Sequence, residues 1–297
     1  MMWLVSMLLL SASVASAQGF PFPGPGRAVW GGVGGGGGGF DYTTDPNFLG
    51  CWGMTSTDTE LAFETDNCTA DAVSDTMSWS GTYSSRASAP AGASHTLSGE
   101  GDGSSDYMLI ADTAGSLDRF EVADFTIGCW YVQDGPTIGS DYVFSKDDLT
   151  AWELVSQSSG TAKFEVQNEP ELTASVVAAD VWQHRLMRYD GSGTSDDAVD
   201  DTLEVFTNGV ADCAGGCKVQ TTSPVGNAGN MTIMSQSSGS ASKLLGAFHE
   251  CFYADRVLTN AEVKEIYLCG VDGGDNGTTR AAAYTSGAAC TVEGCCL

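Results

Sequence analysis

The chain is poor in basic residues: it has 12 Lys and Arg in 297 residues against 38 Asp and Glu, a formal net charge of −26. Nucleic acids and anionic membrane surfaces attract proteins through Lys and Arg, which displace their counterions. The sequence therefore predicts no nucleic-acid partner. Because 42% of the residues are hydrophobic, we do not predict disorder; the charge favours a soluble secreted domain with carboxylates available to divalent cations.

Long apolar runs are missing after residue 17. Residues 1–17 hold an apolar core, Met2–Leu10, followed by Ala15-Ser16-Ala17, which is the pattern of a secretory signal peptide cleaved before Gln18. The usual Lys or Arg before the core is missing, but the core is too short to span a bilayer. We predict a secreted or cell-surface protein with no membrane insertion after cleavage.

No CxxC pair occurs among the ten cysteines, and the three histidines lie far from the cysteine clusters in sequence, which argues against zinc. An even number of cysteines in a secreted chain instead predicts disulfides. We expect Cys213 and Cys217 to close a small loop, and Cys269 to pair with a tail cysteine such as Cys290. The other tail cysteines offer a route to self-association through intermolecular disulfides.

Composition divides the chain into four parts. Residues 1–17 are the predicted signal peptide, and the Gly/Pro-rich residues 18–45 are a predicted flexible linker, since they cannot bury enough apolar surface to offset their ordering entropy. Residues 46–269 form one predicted domain of short strands separated by turn residues. Residues 270–297 are a Cys-containing C-terminal tail.

Local patterns predict an all-β domain. Residues 125–132 are apolar on both faces, which indicates a central strand buried on both sides. Residues 181–191 and 201–209 indicate a hairpin, and the Asn208-Gly209 step suits a type I′ turn, in which both central residues need positive φ.

One segment, residues 259–269, is predicted to be helical. Thr259 and Glu262 have the spacing of a capping box, and Leu258 and Val263 that of a hydrophobic staple. Many short strands with a single late helix favour a sandwich or jelly roll over a parallel α/β fold.

Four segments in the same order also resemble a known family. They are NFLGCWGM with ETDNCTAD, GDGSSDYMLI with DFTIGCWYV, VWQHRLMRYDG with LEVFTNG, and LLGAFHECFYADRVLTNAEVKEIY. Together they resemble a laminin-G-like (LamG-like) domain of the concanavalin A-like lectin/glucanase superfamily. The resemblance implies a two-sheet antiparallel jelly-roll β-sandwich with one short C-terminal helix. It also places Trp130 and Trp182 at family core positions, where a structural role is expected.

Catalysis is not predicted. The superfamily includes retaining β-glucanases, which need two carboxylates about 5–5.5 Å apart. The nearest candidates are Glu165 and Glu169, but the acid expected between them is missing, and no GxSxG motif occurs. A glycan-cleaving enzyme is therefore the least favoured function.

Calcium is the candidate cofactor, since Asp-rich loops supply the oxygen ligands that Ca²⁺ needs. The resemblance implies a site at Asp66, Asn67 and Glu250, although His249 stands where the family has an Asp beside that glutamate. A second candidate is an acidic loop that contains Asp196, Asp197, Asp200 and Asp201. The alternative for both loops is solvated acidic surface.

A sugar site needs an exposed aromatic ring beside polar groups. Trp152 and Tyr142 are the candidates for that ring. The favoured function is a non-catalytic binding or adhesion module for an extracellular glycan or glycoprotein, assisted by calcium. The main alternative is a structural subunit of an extracellular assembly cross-linked by disulfides.

Overall fold

β-Strands dominate the computed structural model, whose described residues all lie in the compact unit Gly36–Leu297. These residues are 40–69, 77–111, 124–135, 140–146, 152–157, 161–166, 172–176, 178–190, 202–212, 218–219, 229–236 and 242–274.

The strands form two antiparallel sheets, as the predicted jelly-roll sandwich requires. Sheet A contains β1 (Phe48–Trp52), β3 (Ser85–Arg86), β4 (Ser98–Asp102), β6 (Phe125–Gln133), β11 (Gln183–Asp190), β12 (Thr202–Thr207), β13 (Val210–Ala211), β14 (Lys218–Val219) and β16 (Leu245–Ala254). Its main order is β13-β12-β11-β6-β16-β4-β3, with β1 paired to β16 and β14 to β12.

Sheet B contains β2 (Met77–Ser80), β5 (Tyr107–Ile110), β7 (Ser140–Lys146), β8 (Trp152–Gln157), β9 (Thr161–Val166), β10 (Leu172–Val176) and β15 (Met231–Ile233). Its order is β10-β9-β8-β7-β15-β5-β2. The crossing of consecutive strands between two sheets is what distinguishes this sandwich from a simple meander.

Helices occupy little of the described chain. A 3₁₀ turn covers Tyr42–Thr44, α1 covers Glu60–Glu64 and α2 covers Asn260–Cys269. The helix predicted at 259–269 is confirmed, with Thr259 as its N-cap and a complete capping box to Glu262. No helix within the described ranges is long and apolar enough to cross a lipid bilayer.

β6 is buried along its whole length, as its sequence predicts. Phe125, Ile127, Cys129 and Tyr131 face a core made of side chains from both sheets. The opposite face is covered as well, because a second apolar cluster packs there. Gly128 is needed on that face, since a Cβ at this position would lie 2.5 Å from Cε1 of Phe252.

The second cluster joins the two ends of the domain. It contains Tyr42 and Phe48 from the N-terminal side and Leu258, Val263 and Ile266 from around α2. The Tyr42 backbone N–H donates to the Val271 carbonyl at 2.9 Å. Residues 40–45 therefore belong to the packed fold, which begins before the expected boundary at residue 46.

One strand pairing and one turn match the sequence patterns closely. β11 and β12 pair as the predicted antiparallel hairpin. Asn208 and Gly209 join β12 to β13 with φ of 49° and 74°, as a type I′ turn demands.

Two disulfides lie wholly within the described residues, Cys51–Cys68 and Cys129–Cys251. Cys129 and Cys251 are directly paired residues of β6 and β16 and lie in the core between the sheets. No partner was predicted from sequence for any of these four cysteines.

Candidate ligand-binding site

Three segments meet at one edge of sheet A, next to Glu100 of β4: the end of β3 with the loop after it, the loop after β6 and the loop before β11. They bring polar and aromatic groups together. We call this set the rim cluster; it consists of Arg86, Ser88, Glu100, Asp134, Asp180 and Trp182. The Arg86 guanidinium binds the Asp134 carboxylate, and the Trp182 indole N–H donates to Ser88 Oγ at 3.1 Å. The segment that carries Arg86 and Ser88 therefore contacts both other loops.

The other two loops are held to each other by backbone bonds where β6 ends. The Asp180 N–H donates to the Gln133 carbonyl at 2.8 Å, and the Gly135 N–H donates to Asp180 Oδ1 at 3.1 Å. Asp180 has a φ of 61°, a left-handed conformation that aspartate tolerates better than most side chains. The turn ties the segment before β11, which carries Trp182, to the end of β6, where Asp134 lies.

Arg86 and its two acidic partners form the charged part of the rim cluster. Nε and Nη2 of Arg86 donate to Glu100 Oε1 at 3.1 and 2.8 Å, and Nη1 donates to Asp134 Oδ1 at 2.8 Å. Nη2 also donates to Asp134 Oδ2. The hydrogen bond to Asp134, ahead of the one to Glu100, raises the pKa of Arg86 above its ordinary value despite partial burial.

The aromatic part of the rim cluster reaches solvent. Trp182 is partly exposed, and Val181 beside it is 51% exposed. One side of the indole packs edge-on against the His249 ring, with 6.4 Å between ring centroids. A partly exposed indole beside hydrogen-bonding groups is the combination that the sequence analysis sought at Trp152 and Tyr142.

Two histidines, His249 and His95, continue the row of neighbouring rings that begins at Trp182. The rings of His249 and His95 are 6.4 Å apart, and His95 Nε2 lies 3.2 Å from Asp272 Oδ2. Burial acts to raise the pKa of Asp272, but hydrogen bonds from His95 and from the Gly274 N–H outweigh it, so the pKa lies below its ordinary value. The pair links the loop before β4 to the segment after α2.

The third histidine, His184, belongs to an adjoining aromatic group. The Trp130 ring lies 5.2 Å from His184 and 5.4 Å from Tyr267 of α2, stacked on the latter. Trp130 is 5% exposed and has the structural role expected of it. Trp182 is less buried than Trp130 and is partly exposed.

The predicted calcium ligands Asp66 and Asn67 support the Cys51–Cys68 loop. Asp66 Oδ1 accepts the backbone N–H groups of Cys51 and Cys68, both at 2.9 Å, and the Asn67 N–H donates to the Cys51 carbonyl at 2.8 Å. An oxygen that already accepts two N–H groups has little capacity left for a cation.

Glu250, the third predicted calcium ligand, lies on the strand next to these residues. It sits at the bulge between His249 and Cys251, is 1% exposed, and has a φ of 46°. Cys51 pairs with Phe252, so Asp66 and Glu250 belong to the same corner of sheet A. Calcium binding at Asp66, Asn67 and Glu250 stays a prediction.

Within the described ranges, one group of at least three His, Cys, Asp or Glu residues has donor atoms within 4.8 Å of one another: Cys51, Asp66 and Cys68. Because thiolates are the sulfur ligands of metals and both cysteines are in a disulfide, this group is not a metal centre.

Several other predicted site residues lie outside the described residues. They are the acidic loop residues Asp196, Asp197, Asp200 and Asp201, the cysteines Cys213, Cys217 and Cys290, and Glu169. Trp152 begins β8, but its side chain is likewise outside the described part. Tyr142 is described and is 8% exposed, so little of its ring reaches solvent. A ligand role for either aromatic residue stays a prediction.

Cys269, at the end of α2, is disulfide-bonded, and its partner lies outside the described residues. The bond is compatible with the proposed link to the tail. Which cysteine completes it stays a prediction.

Comparison with known families agrees with the two sheets. The family model Laminin_G_3, described as the concanavalin A-like lectin/glucanases superfamily, matches residues 102–264, more than half of the chain. The chain belongs to this family. The LamG-like resemblance of the four sequence segments is thereby confirmed. No curated protein sequence matches the chain significantly.

Solved structures share the LamG-like fold at low identity. The binding domain of Paraclostridial Mosquitocidal Protein 1 aligns with a TM-score of 0.57 at 11% identity, over 75% of this chain and 52% of that one. A botulinum neurotoxin type C structure, concerned with its interaction with two ganglioside molecules, aligns with a TM-score of 0.54 at 9% identity, over 74% and 51%. Trypanosoma rangeli sialidase in complex with the inhibitor DANA aligns at 0.50 and 10% identity, over 74% and 32%.

The LamG-like chain spans about half the length of the two toxin structures and about a third of the sialidase. At these identities the likeness establishes the fold alone.

Sequence reasoning missed the rim cluster. Arg86 lies in a segment without an apolar pattern, and Asp134 and Asp180 are ordinary turn residues in sequence. One signal was available. Basic residues are scarce in this chain, with only 12 Lys and Arg and a net charge of −26, so a basic residue such as Arg86 has many acidic residues with which to form a specific ion pair.

Proposed function

We propose that this LamG-like domain is a non-catalytic module that binds an extracellular glycan or glycoprotein through the rim cluster. The observation that carries the proposal is the partly exposed Trp182 indole, fixed by Ser88 beside the Arg86, Glu100 and Asp134 ion network. An aromatic face packs against the apolar face of a sugar ring, and adjacent polar groups bind its hydroxyls.

The structural neighbours support a binding function. The Paraclostridial Mosquitocidal Protein 1 structure is a binding domain by name, and the botulinum neurotoxin type C structure concerns interaction with two ganglioside molecules. Transfer of that function to this chain rests on fold similarity, so it needs a direct test.

An extracellular location is part of the proposal. The signal peptide at residues 1–17 is predicted from sequence, and the disulfides Cys51–Cys68 and Cys129–Cys251 suit an oxidising compartment. Calcium at Asp66, Asn67 and Glu250 is proposed as a helper, and the experiment below tests it separately.

The test is a glycan array probed with the mature protein, with Ca²⁺ and again with EDTA. The key variant is Trp182→Leu, which keeps apolar bulk against His249 but removes the aromatic face. Phe40→Leu is the matched control, because Phe40 is an exposed aromatic residue (48%) outside the rim cluster. Thermal unfolding of each variant verifies that it is folded.

We expect specific glycan binding that Trp182→Leu weakens about tenfold or more, as for a tryptophan at the centre of an interface. Phe40→Leu should bind like the parent protein. No glycan binding under either condition would refute the function, and equal effects of the two variants would refute the site. Binding that survives EDTA would remove calcium from the proposal.

A further inference from the structure

The hydrogen-bonding capacity of Arg86 is almost fully used inside the domain. A guanidinium has five N–H groups. Nε gives its one N–H to Glu100, Nη2 gives one to Glu100 and one to Asp134, and Nη1 gives one to Asp134. Only one N–H, on Nη1, is left over. A carboxylate on a ligand could accept that one N–H, but a bidentate pair with Arg86 would have to displace a charge-assisted bond that already exists.

The rim cluster also has an excess of negative charge. It contains one guanidinium and three carboxyl groups, those of Glu100, Asp134 and Asp180. The acidic side chains of Glu100 and Asp134 are 35% and 32% exposed, so they contribute to the field at the surface. The whole chain, at −26, adds repulsion of the same sign.

The same groups suit a hydroxyl-rich ligand. Carboxylate oxygens accept hydrogen bonds, and sugar hydroxyls donate them. Trp182 is partly exposed and is held by Ser88, two residues after Arg86, with the exposed Val181 next to it in the chain. Among the described residues of the rim cluster, an apolar side chain thus accompanies carboxylate acceptors, and the guanidinium of Arg86 has a single N–H left for an anion.

We propose that the rim cluster selects uncharged glycans and rejects glycans that carry a carboxylate, such as sialylated ones. This selectivity rests on the proposed function and names the ligand class for the same site.

The test uses pairs of immobilised oligosaccharides that are identical except for a terminal sialic acid, at pH 7 and two ionic strengths. The expected preference for the neutral member is about tenfold or more, and it should shrink at high salt, because salt screens exposed charges. Glu100→Gln and Asp134→Asn should each reduce the preference, since each removes a negative charge and a competitor for Arg86. Glu60→Gln, an exposed carboxyl change on α1, is the matched control and should leave the preference unchanged.

The outcomes separate this inference from the function on which it rests. Equal or tighter binding of the sialylated member overturns the selectivity and leaves glycan binding intact. A preference that Glu100→Gln and Asp134→Asn do not alter overturns the role of the rim cluster. Failure to bind either member of any pair overturns the proposed function itself.

Discussion

Removal of the two described disulfides should destabilise the domain unequally. Cys129 and Cys251 are 122 residues apart, whereas Cys51 and Cys68 are 17 apart. In the chain-entropy treatment, loops of these lengths correspond to stabilisation of about 5 and about 3 kcal/mol. Cys129→Ala/Cys251→Ala should therefore lower the free energy of unfolding by about 2 kcal/mol more than Cys51→Ala/Cys68→Ala.

The difference in free energy of unfolding between the two double variants carries less error than either value alone, because errors that both share cancel. All four cysteines are buried, so each double variant loses two buried sulfurs and leaves cavities of similar size. Equilibrium unfolding in urea without reductant gives the two free energies. If Cys129→Ala/Cys251→Ala is unfolded at 25 °C while the other variant folds, the ranking still holds. A larger loss from Cys51→Ala/Cys68→Ala would refute the reasoning.

Three further changes test the fold and the groups behind the site. Thr259→Ala removes the N-cap acceptor of α2 and should lower the free energy of unfolding by about 1 kcal/mol in urea titrations, whereas Thr259→Ser should recover most of it. Gly128→Ala puts a Cβ 2.5 Å from Phe252 Cε1, with an expected cost of about 1–3 kcal/mol; unchanged stability would contradict the close contact. The pKa of Asp272 is lowered on folding, so its ionised form stabilises the domain above the unfolded pKa of about 4, and this contribution is lost as the pH falls through the lower folded pKa. Asp272→Asn should thus be destabilising at pH 7 and progressively less so in acid, and an equal loss at pH 7 and pH 3 would contradict the pairing with His95.

Local signals in the sequence predicted the parts of the fold that local physics determines. β6 is a run of apolar residues on both faces, and α2 begins at a capping box, so both are visible without tertiary information. The Asn208-Gly209 turn is equally local, because few residue pairs adopt two positive φ values in succession.

Strands that depend on neighbours were not predicted. β4 has the sequence SGEGD, which lacks both apolar residues and alternation. It is a strand because β16 and β3 pair with it on either side. Its Gly99 leaves space that Phe248 fills, since a Cβ there would lie 2.4 Å from the Phe248 ring.

The rim cluster was hidden from sequence for a geometric reason. Arg86 and Asp134 are 48 residues apart, and Ser88 and Trp182 are 94 apart. Their proximity follows from which strand ends meet at one edge of sheet A, and no local pattern reports that. The family resemblance predicted a structural role for Trp182 but not its partial exposure or its hydrogen bond to Ser88.

The hydrogen bond between Tyr42 and Val271 has a consequence for how the domain can be handled. It places the first and last turns of the folded unit side by side. The chain therefore enters and leaves the unit at neighbouring points, as in a self-contained cassette. Such a cassette can be grafted into a surface loop of another protein with little strain. The segment 102–264 that matches the family is shorter than this cassette. Cut at those residues, it would lose β1, Tyr42 and Phe48 and would uncover apolar surface on β6 and β16. A stretch that keeps both ends joined has to include Tyr42 and Val271.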